Sequence, residues 1–289
     1  MKHLFSLILL LCALPLMAQH HDTIRVACVG NSITEGFGLK DKKTQSYPAK
    51  LQELLGPGYL VQNFGLSGHT CMNGTDRPYM NDKKWHRFQQ ALASDPDIVT
   101  IKLGTNDSKT PYDSLLHADF MRDLNAMIDS FQSLPSKPQI YLCLPIPADG
   151  EVWTIRDSVI SGEVVPRIRA VAQERNLPVI DLYNPMKPFL ELLPDKIHPN
   201  AAGAMIIAEE IARRIQTDML QGKIHFGRQQ GRMPYGHRQQ RMMNSPRNFH
   251  RRGEAAAPQA EMRHGHEGAA AEPQKAAGKK RAKKGHNHE

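Results

Sequence analysis

Four short segments of this sequence gather side chains suited to acyl-transfer chemistry. The first is Gly30-Asn31-Ser32-Ile33-Thr34-Glu35-Gly36, directly after an apolar run. A serine placed beside glycine at the end of a buried strand can be held rigidly while its hydroxyl faces an open cleft. The Ser-x-x-Glu spacing also fits a helix capping box, in which Ser32 and Glu35 would have structural roles alone. The second segment is Asn63-Phe64-Gly65-Leu66-Ser67-Gly68-His69-Thr70. Gly68 would let the backbone approach a ligand closely, so that its N–H donates to a developing oxyanion, although a plain turn also uses glycine. The third is Gly104-Thr105-Asn106-Asp107, where the Asn106 amide could serve the same oxyanion or merely close an Asx turn. The fourth is Asp195-Lys196-Ile197-His198-Pro199-Asn200. This spacing lets a carboxylate meet one imidazole nitrogen within a tight loop, leaving the other nitrogen for a hydroxyl. A solvated loop histidine followed by a capping Asn200 is the structural alternative.

These segments need a scaffold, and the hydrophobic pattern supplies one. Apolar, strand-like runs at residues 24–29, 59–64, 97–103, 139–144 and 178–182 alternate with helix-like stretches. The helices are expected at residues 47–55, 83–93, 118–134, 159–176 and 200–220, the fourth kinked near Pro166. One face of the third carries Phe120, Leu124, Met127, Ile128, Phe131 and Leu134; the last carries Met205, Ile206, Ile211, Ile215 and Met219 at helical spacing. This alternation predicts βαβ units and an α/β fold with a parallel sheet covered on both faces. Ligands then bind beyond the carboxyl ends of the strands. Three of the four segments follow predicted strand ends, and the fourth is the loop after the last strand.

In that conjunction the chain resembles the SGNH hydrolases, the GDSL-type esterase superfamily, over about residues 24–220. The resemblance implies a three-layer α/β/α sandwich with a five-stranded parallel sheet in the flavodoxin-like order 2-1-3-4-5. It implies Ser32 as nucleophile, Asp195 and His198 as its acid–base partners, and oxyanion donors from Ser32, Gly68 and Asn106. His198 would take the proton of Ser32 as it attacks an ester carbonyl, Asp195 would orient the imidazole, and water would then cleave the acyl-enzyme. Each oxyanion donor would contribute roughly 2.7–4 kcal/mol. No metal or cofactor enters this scheme. One departure is Asn31, where the family name expects Asp; that residue is not the nucleophile, so only local hydrogen bonding should change. No intact G-x-S-x-G elbow, H-E-x-x-H or complete G-x-G-x-x-G is present.

Around this domain, assigned to residues 19–221, lie two segments of different character. Residues 1–18 combine a basic start, an apolar core and a small residue at Ala18, the pattern of a secretory signal peptide, which predicts a secreted or periplasmic protein. Residues 222–289 hold 15 Lys/Arg against 5 Asp/Glu, so the net charge of +8 belongs to this tail and the domain itself is slightly acidic. The tail's composition predicts disorder, with an attraction to anionic polymers or surfaces and no specific nucleic-acid partner. Without the leader three cysteines are left, an odd number; Cys28 and Cys143 lie in apolar runs and read as buried hydrophobes.

Within the superfamily the motifs look most like those of bacterial carbohydrate O-acetylesterases, with sialate O-acetylesterase-like proteins first and acetylxylan-type enzymes next. The expected substrate is therefore an acetylated glycan. Arg77, Tyr79 and Trp85, in the polar loop after the second strand, are candidates to line a sugar site. A lipid-acyl esterase, lysophospholipase or thioesterase is the alternative enzyme, and a glycan-binding module with a decayed triad is the non-enzymatic one. Polar strand-end loops argue for short acyl groups. Against that stands the segment with Pro145, Ile146, Pro147, Val152, Trp153 and Ile155, which could form an apolar wall for a longer chain.

Overall fold

The computed structural model describes residues 23–224. The leader and the tail beyond Ile224 lie outside the described residues. Strands β1 (Ile24–Gly30), β2 (Tyr59–Gly65), β3 (Ile98–Lys102), β4 (Gln139–Cys143) and the two-residue β7 (Val179–Ile180) form one parallel sheet in the order β2-β1-β3-β4-β7. A small antiparallel hairpin, β5 (Glu151–Val152) and β6 (Ile155–Arg156), stands apart from it. With that hairpin set aside, the five-strand order is the one the family resemblance implies.

Strand alternation divides the core into two layers, one on each face of the sheet. Val26 and Cys28 of β1, Ile98 of β3, and Tyr141 and Cys143 of β4 face helices α3 (Tyr47–Leu55) and α9 (Ala201–Leu220). Ala27 and Val29, Val99 and Ile101, and Ile140 and Leu142 face α4 (Arg87–Ala93), α5 (Asp113–Gln132) and α7 (Val165–Glu174). Short helices α1 (Ser32–Glu35), α2 (Lys42–Gln45), α6 (Asp157–Val159) and α8 (Tyr183–Met186) occupy connections. Cys28, Cys71 and Cys143 are free and buried.

Several helix boundaries depart from the sequence pattern for identifiable reasons. Helix α4 starts at Arg87, not near residue 83, because Asp82 Oδ2 accepts from the backbone N–H groups of Trp85 (2.6 Å) and His86 (2.9 Å), and His86 turns left-handed at φ 53°. Upstream of Pro166 the chain widens into a π-helical turn at Ile160–Val164, which accommodates a ring that cannot donate and would crowd the preceding carbonyl. In α9 the inward face is Ala204, Ile207, Ala208, Ile211, Ala212 and Ile215, whereas Met205 and Ile206 are only half-buried.

Candidate active site

The loops beyond the carboxyl ends of β1, β2 and β3, with the loop before α9, meet at one edge of the sheet. Asn31 caps α1, its side-chain oxygen accepting from Ile33 N–H at 3.1 Å, and this fixes Ser32 as the first helical residue. Asn200 likewise caps α9 by accepting from Ala202 and Gly203, both at 3.0 Å, which anchors the loop that carries His198. Within that loop Asp195 Oδ1 accepts from the N–H groups of Ile197 (3.1 Å) and His198 (2.7 Å). Its Oδ2 is 2.7 Å from His198 Nδ1, and His198 Nε2 is 2.7 Å from Ser32 Oγ. A carboxylate only accepts, so Nδ1 carries the proton and Nε2 is left to accept from the serine hydroxyl. A buried serine, a buried imidazole and a half-buried carboxylate thus form one continuous hydrogen-bonded line.

Electrostatics favour the neutral imidazole. Burial holds His198 below the ordinary imidazole pKa, against the pull of Asp195; the nearby Lys102 charge also lowers it. Burial works to raise Asp195, but hydrogen bonds from His198 and Ile197 outweigh it, so its carboxyl lies below the usual range.

The structure assigns Glu35 to a different task from capping Ser32. Its Oε2 accepts from the backbone N–H of Ser67 at 2.9 Å and from the Ser67 hydroxyl, while Oε1 pairs with Lys42 at 2.6 Å. The helix bearing Ser32 is thereby tied to the loop bearing Gly68. A second tie runs from Asn63 Nδ2 to Thr34 O at 2.8 Å. The two segments approach so closely that a Cβ on Gly65 would stand 2.1 Å from Glu35 N.

Gly68 itself is left-handed at φ 80°, and the N–H groups of Ser32 and Gly68 take no acceptor among the described residues. Asn106 spends one amide hydrogen on His69 O at 3.0 Å, leaving a second to donate. These three groups can stabilise negative charge on an oxygen seated beside Ser32. Asp107 secures the neighbouring turn by accepting from Cys71 N–H at 2.8 Å and Met72 N–H at 3.1 Å; burial pushes its carboxyl up to about 6. His69 is clamped between Ser67 O (2.9 Å, Nδ1) and Asp82 Oδ1 (3.4 Å, Nε2).

The three residues expected to line a sugar site separate. Arg77 lies against Gly68, its Nη1 about 3.0 Å from where a Cβ would be, and its side chain is exposed. Tyr79 is a correction: it is fully buried, its hydroxyl donating to Phe64 O at 2.5 Å and its ring packing edge-on to Phe88, so no substrate can reach it. Trp85 is exposed under the Lys84 ammonium, and no contact among the described residues joins it to Ser32 or His198. In its place two other rings flank His198, Phe37 at 4.6 Å and Trp153 at 5.9 Å between centroids. Of the suspected apolar wall, Pro145, Ile146, Pro147 and Ile155 are buried in the interior and Val152 is half-buried. Among the described residues no three His, Cys, Asp or Glu side chains gather as a metal site.

The chain is 43% identical over 217 residues to an acetylxylan esterase of Xylanibacter ruminicola, a match covering 69% of this chain and 44% of that one. It therefore spans less than half the length of that relative. An acetylxylan esterase of Geobacillus stearothermophilus is 27% identical over 224 residues, covering 68% of this chain and 95% of the other. Among solved structures, a carbohydrate acetylesterase from Sinorhizobium meliloti superposes with a TM-score of 0.56 at 20% identity, covering 67% of this chain and 99% of that one. An aryl esterase of M. smegmatis gives 0.54 at 17%, covering 67% and 99%. At such identities these two likenesses are of fold. Residues 28–206, which include Ser32, Gly68, Asn106, Asp195 and His198, match the GDSL-like lipase/acylhydrolase family, and the chain belongs to that family.

Proposed function

We propose that the protein is a serine esterase that removes acetyl and other short acyl groups from carbohydrates, with Ser32 as nucleophile. The observation that carries this reading is the unbroken line Asp195–His198–Ser32, with both links at 2.7 Å. As Ser32 Oγ attacks the ester carbonyl, its proton passes to His198 Nε2, and Asp195 stabilises the imidazolium that forms. Ser32 N–H, Gly68 N–H and the Asn106 amide receive the oxyanion. The imidazolium returns its proton to the leaving sugar oxygen, and a water activated by the same nitrogen releases acetate. The seryl ester is the covalent intermediate of this scheme.

Two observations support an acetylated sugar over a lipid. The relatives matched along the chain are named as acetylxylan esterases. The residues that could have walled an acyl tunnel are largely turned into the interior, which removes the extended hydrophobic lining such a tunnel requires. Export directed by residues 1–18 belongs to the same proposal and rests on sequence pattern.

The test is a panel of acetyl, butyryl and octanoyl esters of one alcohol together with acetylated xylan and acetylated sialic acid. The acetyl ester should have the highest kcat/KM. Ser32→Ala should lose activity by about a thousandfold or more while its Tm moves little, because the hydroxyl is spent on a hydrogen bond with His198 and not on apolar packing. A preference for octanoyl would overturn the carbohydrate reading in favour of a lipid-acyl esterase. Substantial activity in Ser32→Ala would remove Ser32 as nucleophile.

A further inference from the structure

Two partly exposed aromatic side chains stand beside the proposed base. Phe37 is 43% exposed and Trp153 is 58% exposed, yet both rings contact the His198 imidazole, tilted to it by 46° and 42°. Phe37 follows directly on the Gly36 that terminates α1. Trp153 arrives from a separate part of the chain, the turn of the β5–β6 hairpin. Because Val152 pairs with Ile155, Trp153 and Thr154 are the two turn residues. Both have positive φ, 51° and 63°, a conformation in which Asn and Gly are the comfortable residues.

The hairpin can hold a tryptophan there because its base is fastened on several sides. Ile155 is buried in the core. Thr154 O accepts from Thr110 N–H at 3.2 Å, and Arg156 Nε donates to Ser108 O at 3.1 Å, which ties the turn to the loop that carries Asn106. Asp149 N–H donates to Lys196 O at 2.8 Å, which ties its approach to the loop that carries His198. Asp157 closes the far end, accepting from Ala148 N–H at 3.0 Å and from the Tyr183 hydroxyl at 2.8 Å. The ring is presented by a pre-organised support, so little ordering is needed when a ligand arrives.

We infer that Trp153, with Phe37, forms a stacking platform for the pyranose ring that carries the ester, and so determines the preference for sugar esters. This inference rests on the carbohydrate reading above. A pyranose presents a face of C–H groups and a rim of hydroxyls. The C–H face can lie on an indole while the hydroxyls stay in water, which matches rings that are half wet and half packed. The contact with His198 puts the platform beside the leaving oxygen, where the sugar must sit during transfer. An acyclic alcohol has no such face to offer.

The experiment compares Trp153→Ala and Trp153→Phe with the wild type, in the full chain, on two acetates: acetylated methyl xyloside and glycerol triacetate. The ratio of kcat/KM for the pyranoside to kcat/KM for the acyclic ester should fall about tenfold in Trp153→Ala, mainly through KM, with Trp153→Phe between the two. A ratio unchanged from the wild type, whether both activities fall together or neither falls, overturns the platform and leaves Trp153 as a shield of His198 at most. Hydrolysis of glycerol triacetate with none of any acetylated sugar brings down the carbohydrate reading and the platform together. Sugar preference retained by Trp153→Ala brings down the platform alone.

Discussion

Lys102 ends β3 opposite Gly30, fully buried, and its ammonium nitrogen finds no hydrogen-bond partner among the described residues. Burial brings its pKa down to about 7, from an ordinary value near 10.5, with only slight opposition from the Cys143 thiol. The unfolded chain therefore holds a proton that the folded chain has lost between about pH 7 and pH 10.5. Over that window the unfolding free energy of the wild type should rise with pH, by up to about 1.4 kcal/mol per unit. Below about pH 7 both states are protonated and the full destabilisation applies; above about pH 10.5 neither is, and it vanishes. We predict that Lys102→Met, which keeps the chain's length without its charge, is more stable than the wild type. Integrating the shift gives a gap of about 4 kcal/mol at pH 7, about 2 kcal/mol at pH 9 and under about 1 kcal/mol at pH 10. Urea unfolding of both proteins at these three pH values measures it, since urea adds no ionic screening and titrations common to both proteins cancel in the difference. An equal gap at pH 7 and pH 10, or a less stable Met variant at pH 7, would refute a buried, unpartnered amine.

The same electrostatics and ties lead to three more outcomes. As the proposed base His198 would work only when neutral, and it lies below the ordinary imidazole value, so the acid limb of kcat/KM should have its midpoint below 6.5. The same limb should shift upward in Lys102→Met, which removes a neighbouring positive charge; a wild-type midpoint above 6.5 contradicts the reading. Glu35→Ala should lower kcat by about ten- to a hundredfold with KM little changed, since it releases Ser67 and Gly68 from the helix bearing Ser32. Steady-state kinetics on one acetyl ester decide this, and an unchanged kcat would show that the tie does not set the donor's position.

The fold was legible where the pattern reports burial on a regular period. The edges of β1, β2 and α3 fall within a residue of the patterned segments, because β1 is buried almost throughout, β2 begins and ends on buried residues, and α3 buries one face through Tyr47, Pro48 and Leu51. Legibility fails where a side chain, and not the backbone pattern, decides the local conformation. Asp82 consumes the N–H groups that would have begun α4 four residues earlier. The β5–β6 hairpin, with Trp and Thr in a left-handed turn, carries no Asn-Gly signal and stays hidden within a proline-rich loop.

At the site the same contrast has a sharper form. Ser32, His198 and Asp195 could be read because their spacing is local: Asp195 meets His198 within one turn of loop, and Ser32 needs only to follow a strand. The partners of Glu35, Asp107 and Tyr79 were not legible, because each side chain meets a backbone group 15 to 36 positions away. A polar residue in a loop looks solvated from the sequence. Here, however, three loops stack on one another over the strand ends, and the peptide groups caught between them must find acceptors and donors. Glu35 and Asp107 are the acceptors, and the Tyr79 hydroxyl is a donor. Lys102 is a charge inside the run Ile98-Val99-Thr100-Ile101-Lys102-Leu103, in a strand buried at every position. At the end of that strand its charge faces His198 and adds to the burial that holds the imidazole below its ordinary value.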